Sequence, residues 1–228
     1  MRSASVARLA RLAVLALAAA VAGCASVSAP LDAIRDAVTP NSSNAATAAP
    51  RTGAAAFSTP VNPATQRAFD EAGSALRSGR TAEAEGAFKA LASANPDLGG
   101  PHANLGVIYR NAGKLPEAVT EFQTAVKLSP AQPVYLNQLG VTYRQQGEFA
   151  KARDAYQRAI ALDPRYAPAT LNLGILYDLY LGDAPHALEQ YNRYLALLPT
   201  PDPTVTKWVA DLKNRKPAPI TVSRQEKP

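Results

Sequence analysis

The sequence predicts an all-α fold, a solenoid of stacked helical hairpins, on three observations. The pattern of small and aromatic residues in Gly99–Gln132 returns 34 residues later. Leu105, Gly106, Tyr109, Gly113, Ala118, Phe122, Ala125 and Pro130 come back as Leu139, Gly140, Tyr143, Gly147, Ala152, Tyr156, Ala159 and Pro164. Within each copy, two amphipathic runs with apolar residues three and four apart flank a glycine-containing break. A proline closes each copy, and one such helix pair cannot bury both its faces, so it needs a neighbour on either side.

In chain order, residues 1–23 read as a targeting segment. Arg2, Arg8 and Arg11 form a positive start, and Leu12–Ala22 is an apolar run too short to span a bilayer. Residues 24–64 are rich in Ala, Ser, Thr, Pro and Asn and bury too little apolar surface to offset the entropy of ordering, so a disordered tether is expected. As a flexible coil it would reach roughly 35 Å end to end. Leu31, Ile34 and Val38 could form two helical turns, read as transient helix.

The register then gives four repeats, 65–98, 99–132, 133–166 and 167–201. The first is degenerate: Gly79, Ala84, Phe88 and Pro96 keep the period, but Glu71, Ala72 and Ala75 replace the Leu, Gly and Tyr of the first helix. Terminal repeats are commonly atypical because one flank lacks a neighbour. In the fourth, Leu173, Gly174 and Tyr177 keep the period. One extra residue between Tyr177 and Pro185 then moves the second helix to Ala187, Tyr191, Tyr194 and Pro199. Gly106 has no β-carbon and lets its partner helix come close; Ala118 and Ala125 are small enough for tight packing, and Leu105, Tyr109 and Phe122 fill the remaining space. Asp202-Pro203 is a helix-start signal. Val205, Trp208, Val209 and Leu212 then share one face, so 203–214 reads as a capping helix with Trp208 over the last repeat. Together these make a solenoid over 65–214, followed by a disordered basic tail, 215–228.

These positions at this period resemble the tetratricopeptide repeat, and the resemblance covers the solenoid. The end of the leader, Val21-Ala22-Gly23-Cys24, resembles the bacterial lipobox. That resemblance implies acylation of Cys24, the single cysteine, after cleavage in front of it. Two or three acyl chains would anchor the chain stably. Ala25 after the cysteine, rather than Asp, implies sorting to the outer membrane, facing the periplasm. The alternative is an ordinary cleaved leader with an incidental cysteine.

The formal charge of +6 does not mark a nucleic-acid binder. Losing Arg2, Arg8 and Arg11 leaves 21 basic against 18 acidic residues, and the excess sits in the tail, so the body 24–212 holds 16 basic and 17 acidic groups. No basic stripe interleaved with aromatics appears, so no nucleic-acid partner is expected. Catalysis is not expected either. His102 and His186 stand 84 residues apart without metal-ligand spacing and read as structural, and Gly73–Gly79 lacks the Lys-Ser/Thr of a phosphate loop. No metal, cofactor or small-molecule substrate is expected.

The resemblance implies a concave groove lined by the first helices of successive repeats, where the family binds peptides. Projected on this chain, one row is Asp70, Asn104, Gln138 and Asn172, and a second is Leu76, Arg110, Arg144 and Asp178. Gly73, Val107, Val141 and Ile175 make an apolar floor. Side-chain amides donate and accept and so suit a peptide backbone, and arginines suit a carboxylate. Against this stands an idle solvated face in which Arg144 merely pairs with Asp178. Tyr177, Leu179, Tyr180, Leu181, Tyr191 and Tyr194 exceed the needs of the repeat, and any left outside the cap would mark a second surface. The expected function is a non-catalytic adaptor lipoprotein binding a protein or peptide of the cell envelope. Its architecture is similar to that of repeat lipoproteins that help pili or secretion pores assemble and of those that recruit cell-wall enzymes. A self-associating structural lipoprotein is the further alternative.

Overall fold

The computed structural model describes residues 62–215. The expected leader, Cys24, almost all of the tether and all but Arg215 of the tail lie outside these residues. The chain runs through α1 (Pro63–Arg77), α2 (Thr81–Ala94), α3 (Gly99–Asn111), α4 (Leu115–Leu128), α5 (Pro133–Gln145) and α6 (Phe149–Leu162). It continues through α7 (Ala167–Ile175, extended by a π turn at Leu176–Tyr180), α8 (Ala184–Leu197) and α9 (Pro203–Asn214). Pro63 and Ala64, placed in the tether by composition, form the first turn of α1, because the Asn62 side chain caps it by accepting from Ala64 N at 2.9 Å.

Each hairpin turn is dictated by one glycine. In the second repeat Gly113 N donates to Arg110 O at 3.0 Å and Lys114 N to Tyr109 O at 2.9 Å, a Schellman arrangement that closes α3 and requires φ of 75° at Gly113. Gly79 and Gly147 do the same at φ 77° and 79°. The connections between hairpins also repeat: Leu98, Gln132 and Tyr166 N–H groups donate to Asn95, Ser129 and Asp163 carbonyls.

The extra residue of the fourth repeat is absorbed before the turn glycine. Leu181 N donates to Leu176 O at 3.1 Å and Asp183 N to Tyr177 O at 2.8 Å, so the helix widens into the π turn and Gly182 still takes the left-handed conformation, φ 65°. A single inserted residue in a helix commonly relaxes in this way.

The core is the same contact made four times. Phe88, Phe122, Tyr156 and Tyr191 are buried on the second helices, with Ala84, Ala118, Ala152 and Ala187 fully buried beside them. In the last three repeats the ring lies on a first-helix glycine: a β-carbon at Gly106, Gly140 or Gly174 would stand 3.0, 2.6 or 2.7 Å from the ring of Phe122, Tyr156 or Tyr191. In α1 the equivalent residue is Ala72, which is buried with Ala75. The last hairpin is covered by α9, whose N-cap Asp202 accepts from Thr204 N at 2.8 Å and Val205 N at 3.2 Å. Val205, Val209 and Leu212 are buried, while Trp208 lies half-buried at the edge with its ring centroid 5.6 Å from that of Tyr191.

Candidate protein-binding groove

The first helices α3, α5 and α7 touch in succession, which brings equivalent side chains into rows. In the amide row Asp70 is exposed, Asn104 and Gln138 are buried, and Asn172 is half-buried. Each of the three amides has one end tied inside the protein. Asn104 Nδ2 donates to Gly100 O at 3.0 Å, Gln138 Oε1 accepts from Arg110 Nη1 at 2.6 Å, and Asn172 Nδ2 donates to Asn137 Oδ1 at 3.0 Å. The other ends, Asn104 Oδ1, Gln138 Nε2 and Asn172 Oδ1, have no hydrogen-bond partner among the described residues.

The second row is less uniform. Arg110 is only 6% exposed, yet no acid pairs with it among the described residues. Its guanidinium lies over the Phe122 ring with Cζ 5.4 Å from the centroid, and it donates to the carbonyl of Gln138 at 3.3 Å as well as to the side chain. Burial lowers its pKa to about 10, with the Arg144 charge acting in the same direction and Tyr156 against it, so it stays charged at neutral pH. Arg144 is half-buried, with Cζ 5.5 Å from the centroid of the Tyr180 ring.

Arg144 does not pair with Asp178, the bland alternative that the sequence allowed. Asp178 is taken by Arg215, whose Nη1 lies 3.0 Å from its Oδ1, and by the Tyr191 hydroxyl, which donates to Oδ2 at 3.4 Å. The end of α9 reaches back to the π turn, which one row of first-helix positions could not reveal. In the third row Val107 is buried, and Val141 and Ile175 are half-buried.

At the last repeat the surplus aromatics divide. Tyr177 and Tyr191 are buried, and Tyr194 is half-buried with its hydroxyl on Asp202 Oδ2 at 3.3 Å. Leu179, Tyr180 and Leu181 remain outside, 60%, 45% and 40% exposed. Tyr180 is steadied by the tilted ring of Phe149, centroids 5.2 Å apart.

Both histidines are held by carboxylates. His102 Nδ1 is 2.7 Å from Glu121 Oε2, linking α3 to α4. His186 Nδ1 is 2.6 Å from Asp183 Oδ2 at the start of α8. Among the described residues no group of three or more His, Cys, Asp or Glu side chains is arranged to hold a metal ion, and no helix is long and apolar enough to cross a membrane. A cleft of about 500 Å³ opens between α4 and α6, over Leu139 and Tyr143 and away from the amide row.

Two polar groups escaped sequence reasoning, one on a first helix and one on a second helix. Asn137 sits one position before the row and binds Asn172 from α5 to α7. Tyr156 carries a hydroxyl where the preceding repeat has Phe122, and the Phe-to-Tyr change was its only signal.

Stacked hairpins closed by period-matched glycines define a helical-repeat protein, and comparison with known proteins gives the repeat its name. Residues 133–166 match the model described as tetratricopeptide repeat, and residues 106–147 match one described as TPR repeat. The fold is thus an all-α tetratricopeptide solenoid. No curated protein sequence matches the chain. Among solved structures, one of MamA is similar at 29% identity and a TM-score of 0.51, covering 56% of this chain and 74% of that one. A second MamA structure is similar at 28% identity and 0.52, covering 58% and 72%. PilF of Pseudomonas aeruginosa shares the fold at 22% identity and 0.61, covering 66% and 68%.

Proposed function

We propose that this protein is a non-catalytic adaptor whose first-helix face binds an extended segment of a partner protein. The observation that carries the reading is the division of labour in the amide row. One atom of each of Asn104, Gln138 and Asn172 is fixed internally, which locks the rotamer, and the other is left for a ligand. A preorganised row of this kind binds a peptide backbone without a further entropy cost of ordering its own side chains. Val107, Val141 and Ile175 supply the apolar floor.

Acylation of Cys24 tethers the solenoid to the outer membrane on the periplasmic side, where the partner belongs to an envelope assembly such as a pilus or secretion system. Adaptor service to cell-wall enzymes fits the same architecture. The experiment is photo-crosslinking in cells, with the reactive residue placed at Asn172 or at Leu179. A shared product from Asn172 supports the groove. Products from Leu179 alone favour the second reading, in which the exposed Leu179, Tyr180 and Leu181 join copies of this chain; the size of those products, a dimer or a heteromer, decides between self-association and a partner.

A further inference from the structure

Neighbouring first helices come closer together than the second helices α4 and α6 do, and the wedge between those two is the cleft of about 500 Å³. That volume lies in the range of clefts that hold ligands. Its floor is apolar, made by Val126, Leu139, the Tyr143 ring and Ala155.

Comparison of the repeats shows why this wedge is open. Tyr143, at its base, has Tyr109 and Tyr177 as counterparts in the neighbouring repeats. Tyr109 is covered from α2. Its hydroxyl donates to Glu85 Oε1 at 3.4 Å, and Lys89, paired with that same oxygen at 2.6 Å, lies 5.9 Å from the ring centroid. Tyr177 is covered from α8 by the His186 ring, stacked on it with centroids 5.0 Å apart. Above Tyr143 the register puts Val119 and Gln123 where Glu85 and Lys89 stand, and Lys151 where His186 stands. Gln123 Nε2 donates to the Tyr143 hydroxyl at 2.8 Å, but a valine and an amide cannot form the ion pair that covers Tyr109.

The charge of the rim is an independent observation. It carries three cations, Lys127, Lys151 and Arg158, and one acid, Asp154. Arg158 reaches Asp154 at 3.5 Å and Lys151 reaches Glu148 at 3.3 Å, in pairs whose side chains are at least half exposed. Lys127 is exposed and makes no ion pair among the described residues. The excess is local, since the body 24–212 holds 16 basic and 17 acidic groups. Exposed ion pairs are weak, so an acidic partner replaces them at little cost.

We propose that this cleft is a second protein-binding site, which takes a partner segment carrying a large apolar side chain flanked by acidic ones. The apolar side chain is buried over Val126 and Leu139, and the acids meet Lys127, Lys151 and Arg158. The buried anchor supplies most of the affinity, while the rim charges select the sequence and speed the encounter. The site is separate from the amide row, so an adaptor of this form holds two segments at once and joins them.

The test uses the purified chain, carbon-13 labelled at its methyl groups, and three acetylated and amidated peptides. The probe is Glu-Glu-Leu-Phe-Glu-Glu. One control replaces every Glu by Gln, and the other replaces Leu and Phe by Ala. A saturable shift of the Val126 and Leu139 methyl signals is expected with the probe. The glutamine control should bind at least about fivefold more weakly, the loss expected for one exposed ion pair, and the alanine control should not shift the signals. Lys127→Glu should melt with the parent and lose at least about fivefold in affinity for the probe. Ala150→Trp, at an exposed position on the cleft wall, should fill the cleft and remove the shifts. Asn172→Ala, in the amide row, should leave the affinity unchanged.

No saturable shift up to about 10 mM, where a millimolar ligand would be mostly bound, overturns the site. Equal affinity for the glutamine control overturns the acidic chemistry, and the peptide series on the parent decides this even if a variant fails to fold. Weaker binding in Asn172→Ala places the probe in the groove and overturns the second site, leaving the groove standing. Shifts of the same methyl signals with protein concentration alone would show a second copy of this chain in the cleft and overturn the partner assignment.

Discussion

Gly140 lies under the ring of Tyr156 so closely that a β-carbon there would stand 2.6 Å from Cε1. The two residues are on the first and second helices of the third hairpin, and their contact sets how near those helices come. Gly140→Ala therefore meets two opposed effects. The alanine gains about 1 kcal/mol of helix propensity, but overpacking a buried ring costs about 1 to 3 kcal/mol. The net expectation is a loss of up to about 2 kcal/mol. Gly86→Ala, in the middle of α2 with nothing within 4 Å of the new methyl, should instead gain up to about 1 kcal/mol. Denaturant midpoints of the two variants should move in opposite directions, and movement in the same direction would contradict the packing described.

The cap helix holds the end of the array through Val205, Val209 and Leu212, with Trp208 at its margin. Truncating a fully buried tryptophan costs about 3 to 5 kcal/mol. A half-buried ring loses correspondingly less, so Trp208→Ala should cost about 2 kcal/mol. Its fluorescence should be intermediate between buried and free indole. An unchanged unfolding midpoint, or emission of indole in water, would show that α9 does not close the solenoid.

Acid should loosen the last hairpin at its N-cap. Hydrogen bonding from the His186 backbone N–H, aided by the His186 side chain, holds the Asp183 carboxyl below its ordinary value of 3.8. A depressed acid contributes stability that is present above the unfolded pKa and is lost as pH falls through the folded one. Asp183→Asn keeps a cap acceptor but cannot titrate. Its melting temperature should lie below the parent's near neutrality, and the gap should close as pH falls below about 4. Parallel acid slopes for the two proteins would remove this role.

Membrane attachment should depend on Cys24, since no described helix is long and apolar enough to span a bilayer. The Cys24→Ala protein should leave the outer-membrane fraction. Its retention there after a salt wash would end the proposal of a lipid anchor.

The fold was legible in the sequence because its period is enforced by sterics. A positive φ at Gly79, Gly113 and Gly147 strains any L side chain, and the rings beside Gly106, Gly140 and Gly174 crowd a β-carbon. The inserted residue of the fourth repeat was visible as a shift in register, but its destination was not. Whether a helix widens or a loop lengthens depends on which carbonyls remain free, and here Leu176 and Tyr177 accept the displaced N–H groups. The candidate site was legible as rows, not as depths. Periodicity places Asn104, Arg110 and Gln138 on one face. The close approach of successive first helices is what buries them and joins Arg110 to Gln138 across 28 positions. Asn137, one residue off the row, and the hydroxyl of Tyr156, contributed by a second helix, lie outside any pattern confined to first-helix positions.

The central claim is that the first-helix face holds an extended segment of a partner. Its most direct measurement is the affinity of the partner, once co-purified and identified, for the parent and for a variant carrying Asn104→Ala, Asn172→Ala and Arg144→Glu. Each amide hydrogen bond is worth about 0.5 to 1.5 kcal/mol net, and a charge-assisted one about 1.5 to 3. Together they predict a loss of at least about 60-fold. Helicity and melting of the variant are measured alongside, to show that the solenoid persists. A folded variant that binds as tightly as the parent would contradict the groove and move the interface to Leu179, Tyr180 and Leu181.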